Sequence, residues 1–211
     1  MAGIQEIYEL VEKGKAKKVA AAVQEALDAG CDPAAILNEG MISAMDEVGA
    51  RFKNGEIFVP EMLVAAKAMK NGVAVLKPHL ATGAAGAAGK VIIGTVAGDL
   101  HDIGKNLVAM MLESSGFEVI DLGVDVSKEK FLETYEANPD TKIICCSALL
   151  TTTMPALKQT VALLNASAGR ENIKIMVGGA PISAAFAEEI GADAYTEDAA
   201  TCAQKAKELV A

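Results

Sequence analysis

The run Val91-Ile92-Ile93-Gly94-Thr95-Val96-Ala97-Gly98-Asp99-Leu100-His101-Asp102-Ile103-Gly104-Lys105-Asn106 decides how the fold is read. Its first six residues form a short apolar run of the kind a strand buried on both faces requires. A turn with a glycine, an acid and a histidine follows. From Lys105 to Glu113 the apolar spacing is helical, and Gly116 stops it.

Downstream the same rhythm recurs. Apolar strands are expected at 117–122, 142–147, 173–177 and, briefly, 192–196. Helices fall between them: one capped by Ser127 and ended by Asn138-Pro139, one from Met154 to Asn165, one opened by Pro181, and a last one reaching the C-terminus. Strands alternating with helices, and apolar on both faces, imply a parallel sheet of five strands covered on both sides. Ligands of such sheets sit at the carboxyl ends of the strands, near the point where strand order reverses. The loops after the first, third and fourth strands are therefore where chemistry is expected.

Upstream, residues 1–78 read as helices only. Ile4, Ile7, Tyr8 and Val11 share one helical face, Gly30 ends a second helix, and Asp32-Pro33 opens a third whose apolar face is Ile36, Leu37, Met41, Met45 and Val48. A fourth helix is expected from Pro60 to Leu76. Four short helices with tight loops make a bundle. Residues 79–90, rich in Gly and Ala and without a periodic apolar face, read as a linker to the α/β domain at 91–211.

Composition removes several classes of function. A net charge of −9 opposes binding to nucleic acid or to anionic membranes, both of which need a basic face. Aromatic residues are 4% of the chain, too few for a platform that stacks single-stranded bases. There is no long apolar run and no signal-peptide pattern, so a cytoplasmic protein is expected. In a reducing cytosol Cys31, Cys145, Cys146 and Cys202, none in a CxxC pair, read as small core residues.

Three loops carry the candidate chemistry: Gly98 to Asn106, the hydroxyl-rich Ser147-Ala148-Leu149-Leu150-Thr151-Thr152-Thr153, and Gly178-Gly179-Ala180. A neutral imidazole is a good ligand for a borderline transition metal, and a metal-bound histidine usually gives its other N–H to a carboxylate. Asp99 stands where it could accept that bond from His101. No second histidine or cysteine is near in sequence, so a metal here would have to bring most of its coordination sphere with it, as in a tetrapyrrole-like cofactor. Each piece also has an ordinary reading: a hydrogen-bonded structural histidine, a phosphate-cradling turn, a helix cap, a simple glycine turn. Those readings stay open on the residues alone.

The order Asp99-x-His101-x-x-Gly104, then Ser147-x-Leu149, then Gly178-Gly179 resembles the cobalamin-binding signature, in residues and in gaps. The chain is similar to the corrinoid proteins of three-component methyltransferase systems and to the cobalamin module of methionine synthase. The resemblance extends to the helical half, where Val48 to Met62 looks like that family's cap. It implies an N-terminal four-helix bundle cap plus an α/β Rossmann-like (flavodoxin-like) domain.

It further implies a cobalamin or related corrinoid, cycling between methylcob(III)alamin and cob(I)alamin, with His101 as lower ligand to cobalt, Asp99 as its hydrogen-bond partner and Ser147 as the next member of the relay. Gly98, Leu100, Asp102, Ile103, Gly104, Leu149, Thr151, Gly178 and Gly179 would surround the cofactor and its nucleotide tail, with Asp198 and Ala199 near the last strand. Phe52, Val59 and Met62 would cover the upper face.

The function so implied is a methyl carrier, loaded by a substrate-specific methyltransferase, unloaded by a second one to tetrahydrofolate or a thiol, and served by a reductive activase. Such a subunit is not expected to turn over alone. A cobalamin-dependent sensor, an isomerase module and a flavodoxin-like FMN domain are the competing readings. No receiver-type phosphorylation site is present.

Overall fold

The computed structural model describes residues 3–79 and 88–211. The chain divides into two compact units, one of helices and one of alternating strands and helices.

In the helical unit, α1 (Ile4–Glu12) buries Ile7 and Val11, and α2 (Ala16–Asp28) buries Val19, Ala22, Val23 and Ala26. Asp32 caps the next helix by accepting from the Ala35 N–H at 3.2 Å, with Pro33 at its first position. That helix is not uniform. A short α3 (Pro33–Ala35) runs into a π-helical stretch, Ile36–Ile42, and on into α4 (Ser43–Lys53). The wider pitch still turns Ile36, Leu37, Met41, Met45 and Val48 inward, and all are buried. α5 (Val59–Leu76) packs on α2, closely enough at Gly72 that a Cβ there would overlap Val19 and Met41. Counting α3 to α4 as one rod, four helical rods form the unit, as the apolar spacing predicts. No helix among the described residues is long and apolar enough to cross a membrane.

The second unit runs β1 (Gly89–Thr95), α6 (Ile103–Ser114), β2 (Phe117–Asp121), α7 (Lys128–Ala137), β3 (Thr141–Ser147), α8 (Met154–Asn165), β4 (Lys174–Gly178), α9 (Ala184–Ile190), β5 (Ala194–Tyr195) and α10 (Ala199–Val210). The strands make one sheet in the order β2-β1-β3-β4-β5, with parallel pairing from β1 through β5. Ile92, Ile144, Ile175 and Val177 form its core with Phe131, Leu157 and Val161. The order reverses between β1 and β3, which makes their carboxyl ends the switch point. Register aligns Thr95, Ser147 and Gly178 across three strands there, so the three singled-out loops leave the sheet side by side.

Two boundaries differ from the sequence reading. The expected linker at 79–90 gives Gly89 and Lys90 to β1, where Lys90 pairs with Thr141 and its Nζ meets Asp140; residues 80–87 of it lie outside the described residues. α6 begins two residues early because Asp102 receives the Asn106 N–H at 2.7 Å and the Asn106 side chain at 3.1 Å, which closes the first turn.

Candidate functional site

β1 ends at Thr95, whose buried hydroxyl donates to the His101 carbonyl at 2.9 Å and fixes the far side of the loop. Within the loop Asp99 is fully buried, and its carboxylate accepts four hydrogen bonds. Oδ1 takes the His101 N–H at 3.1 Å and His101 Nδ1 at 2.7 Å. Oδ2 takes the Leu149 N–H at 2.7 Å and the Thr153 hydroxyl at 2.8 Å. One carboxylate thus ties the loop after β1 to the loop after β3 across the switch point.

Burial alone would raise the Asp99 carboxyl. The bonds from Leu149, the His101 ring, Thr153 and the His101 backbone outweigh it and hold the group well below the usual carboxylate range. Asp99 is therefore an anion at neutral pH and can only accept, so Nδ1 of His101 carries the proton. That leaves Nε2 as the ring nitrogen with an available lone pair, on a side chain half exposed at the sheet edge.

The sign of the Asp99 shift gives a pH prediction. A carboxyl depressed in the folded state contributes stability that is fully present above its unfolded value and is lost as pH falls through the folded one. Asp99→Asn should be less stable than wild type by about 1–3 kcal/mol at pH 7, because a neutral amide turns donors toward donors. Its urea midpoint should also drop less steeply than wild type's between about pH 4 and pH 2, since the unfolded carboxyl titrates near 3.9. Parallel acid limbs for the two proteins would contradict this.

Thr153 was missed by sequence reasoning, which put Ser147 next to Asp99. Ser147 sits in the register row at the end of β3, and the hydroxyl bonded to Asp99 is that of Thr153. The missed signal is positional. Thr153 is the N-cap of α8, where a hydroxyl normally caps the helix, yet here it makes no cap bond. Its single proton can go to Asp99 or to the Leu150 carbonyl at 2.9 Å, and the carboxylate is the stronger acceptor. Thr151, expected along the path of the cofactor's tail, is exposed in the same turn.

Around His101 the edge is apolar and open. Leu100 and Ile103 are 73% and 78% exposed, and Leu149 and Leu150 about half that. Asp102 is exposed, and a Cβ at Gly104 would meet nothing within 4 Å. Gly178 and Gly179 face the end of β3, and Asp198 caps α10 through the Thr201 N–H at 2.8 Å, with Ala199 buried behind it. Gly98 lies beside Asp99 with a left-handed backbone. In the helical unit Val59 is exposed, Phe52 half-buried and Met62 buried on one stripe with Ala65, Ala66 and Met69.

The donor set fits a metal that arrives ligated. Among the described residues no group of three or more His, Cys, Asp or Glu could hold a bare ion. Cys145, Cys146 and Cys202 are buried, and burial pushes the Cys146 thiol up to about 12, so it stays protonated. One outward imidazole nitrogen, a buried anion behind it and a large exposed apolar rim suit a planar, metal-centred organic cofactor.

Fold and site together define a cofactor-binding α/β domain with an attached helical domain. A B12 binding domain model matches residues 89–203 and a second B12 binding domain model matches residues 4–77. Dimethylamine corrinoid protein 1 of Methanosarcina acetivorans is 44% identical over 210 residues, 99% of this chain and 97% of that protein. A cobalamin-binding protein from Desulfitobacterium hafniense superposes with a TM-score of 0.82 at 28% identity, covering both chains completely. The methanol:cobalamin methyltransferase complex of Methanosarcina barkeri gives 0.83 at 30% identity over 98% of this chain and 79% of that one. The chain belongs to the B12-binding corrinoid proteins of methyltransferase systems. Among the cofactor classes considered, membership of this family favours a corrinoid over FMN.

Proposed function

We propose that this corrinoid methyl carrier holds its cofactor through His101 Nε2, takes its methyl group from a substrate-specific methyltransferase and yields it to a second methyltransferase acting on tetrahydrofolate or a thiol. The observation that carries the reading is the Asp99–His101 pair, which fixes the proton on Nδ1 and leaves Nε2 unengaged by Asp99 on a half-exposed side chain. When bound, the corrinoid supplies a cobalt centre that accepts and releases a methyl group.

The chain's own residues do the rest. Asp99 orients the imidazole and keeps its proton, and Thr153 and Leu149 keep Asp99 in place. Leu100, Ile103, Leu149 and Leu150 offer the apolar surface that excludes water. Gly98, Asp102, Gly104, Thr151, Ser147, Gly178, Gly179, Asp198 and Ala199 border the space a nucleotide tail would follow. Residues 1–78 would act as a cap presenting Phe52 and Val59, with Met62 holding the stripe beneath them, and 79–90 as the linker. A reductive activase would restore the carrier after oxidation. The setting is cytoplasmic, in line with four free cysteines. The dimethylamine relative makes a methylamine-specific methyltransferase the first loading partner to try.

Reconstitution with cobalamin under anaerobic conditions, desalting and a visible spectrum test the reading, followed by mixing with that methyltransferase and its methylamine. Retained corrinoid that gains methyl from the amine supports it; a desalted protein without corrinoid ends it.

Gly104 offers a second check. Nothing in the protein occupies the place of a Cβ there, and the residue lies in the first turn of α6. Gly104→Ala should therefore leave the apoprotein as stable as wild type, or up to about 1 kcal/mol more so. If cofactor fills that space, the same variant should retain cobalamin more weakly on equilibrium dialysis. Unchanged retention would remove Gly104 from the site.

A further inference from the structure

Asp125 lies outside the three singled-out loops, in the turn after β2. Among the described residues it is the one non-glycine with a left-handed backbone, at φ 53°. That conformation is unfavourable for an L-residue and persists where neighbours fix it. Two hydrogen bonds supply the reason. The Asp125 N–H donates to the Asp99 carbonyl at 3.0 Å, and its Oδ1 accepts the Gly98 N–H at 2.7 Å. Gly98 is itself left-handed, at φ 80°. The two turns therefore clasp each other on either side of Asp99, in line with the bridge between Val96 and Val126 just inside them. The Asp125 side chain is exposed, so no demand of the core explains it.

We infer that Asp125 is a positioning residue for His101: it locks the Gly98–Asp99 backbone, and so sets where the buried carboxylate meets the imidazole. The inference rests on the reading of His101 as cobalt ligand. Yet the clasp itself can be tested without cofactor. Asparagine keeps an acceptor oxygen and tolerates the left-handed backbone; alanine does neither.

The experiment compares wild type, Asp125→Asn, Asp125→Ala and Asp125→Gly in two states. In the apoprotein, nitrogen-15 shifts of the His101 ring report the ratio of Nδ1–H to Nε2–H tautomer. In protein loaded with cob(II)alamin, nitrogen superhyperfine splitting in the electron paramagnetic resonance spectrum reports the ratio of His-ligated to unligated cobalt. Both ratios should fall about fivefold in Asp125→Ala, as the loss of one hydrogen bond's worth of positioning predicts, and stay near wild type in Asp125→Asn. Asp125→Gly, which relieves the backbone but lacks the acceptor, should follow alanine and stands in for it if alanine fails to fold. The inference is overturned if either ratio stays at wild type without the side-chain acceptor, or if asparagine falls as far as alanine. A loaded wild type without nitrogen splitting would sink the ligand reading instead, and the tautomer ratios would still decide the role of Asp125.

Discussion

Replacing His101 with alanine should abolish nitrogen ligation of bound cobalamin while leaving the protein folded. The side chain is half exposed and makes one side-chain hydrogen bond, to Asp99, which keeps three other donors. The expected stability loss is therefore at most about 1.5 kcal/mol. The loss at the cofactor is larger in kind. No other histidine or cysteine is close in sequence: the only other histidine is His79, and Cys145, Cys146 and Cys202 are buried in the fold. Removing an outer-shell partner of a metal ligand typically costs about 10- to 100-fold in affinity, and removing the ligand should cost at least that. Visible spectra of wild type and variant, loaded under the same conditions, give the result directly: His-ligated for wild type, unligated for the variant. Free imidazole should restore nitrogen ligation to His101→Ala, because the ring leaves an open space at the sheet edge. Identical spectra for the two proteins would mean that Nε2 is not the ligand, and the proposed function would lose its carrying observation.

Much of this architecture is legible in the sequence because it follows from periodicity. Apolar runs such as 142–147 can only sit between two layers, and the switch of rhythm at Val91 marks the second unit. The aspartate–histidine pair is legible because its partners lie two residues apart in one turn. What escapes is everything decided between strands. Whether Ser147 or Thr153 reaches Asp99 depends on how the turn after β3 curls, and nothing in the spacing encodes that direction. Lys105, at the start of α6, is another instance. Its Nζ is buried and held between both oxygens of Asp121, at 2.7 and 2.6 Å, and Asn106. In the sequence it is simply a lysine on a helix. The π-helical stretch at Ile36–Ile42 has no local signature either; Ile36, Leu37 and Met41 are buried just as an α-helix would require.

Gly179→Ala should be the most destabilising substitution in the three loops, and the reason lies in one backbone contact. A Cβ built on Gly179 would sit 1.8 Å from the Ala148 carbonyl oxygen and 2.7 Å from its carbon. Its φ of 130° is in addition one that L-residues rarely adopt. Rotation offers no escape. Ala148 is fully buried, its N–H is bonded to Gly178 at 3.1 Å, and the Gly179 carbonyl receives the Ile182 N–H at 2.9 Å. The turn after β4 would have to lift off the end of β3. Backbone strain of about 1–3 kcal/mol adds to that displacement, so a total of roughly 4 kcal/mol is expected. That is a large share of the ~5–15 kcal/mol that stabilises a typical domain. Gly178→Ala is the matched control. Its Cβ would meet only the Thr196 oxygen, at 3.7 Å, which is ordinary contact, and its urea midpoint should stay close to wild type. The effect should also reach the site. Leu149, next to Ala148, gives its N–H to Asp99, so pushing Ala148 aside loosens the carboxylate that holds His101. Urea unfolding of both apoproteins, with the His101 tautomer ratio read alongside, separates the outcomes. A wild-type midpoint for Gly179→Ala would show that the two loops part without cost. A low midpoint with an unchanged tautomer ratio would show that β4 supports the fold but not the histidine.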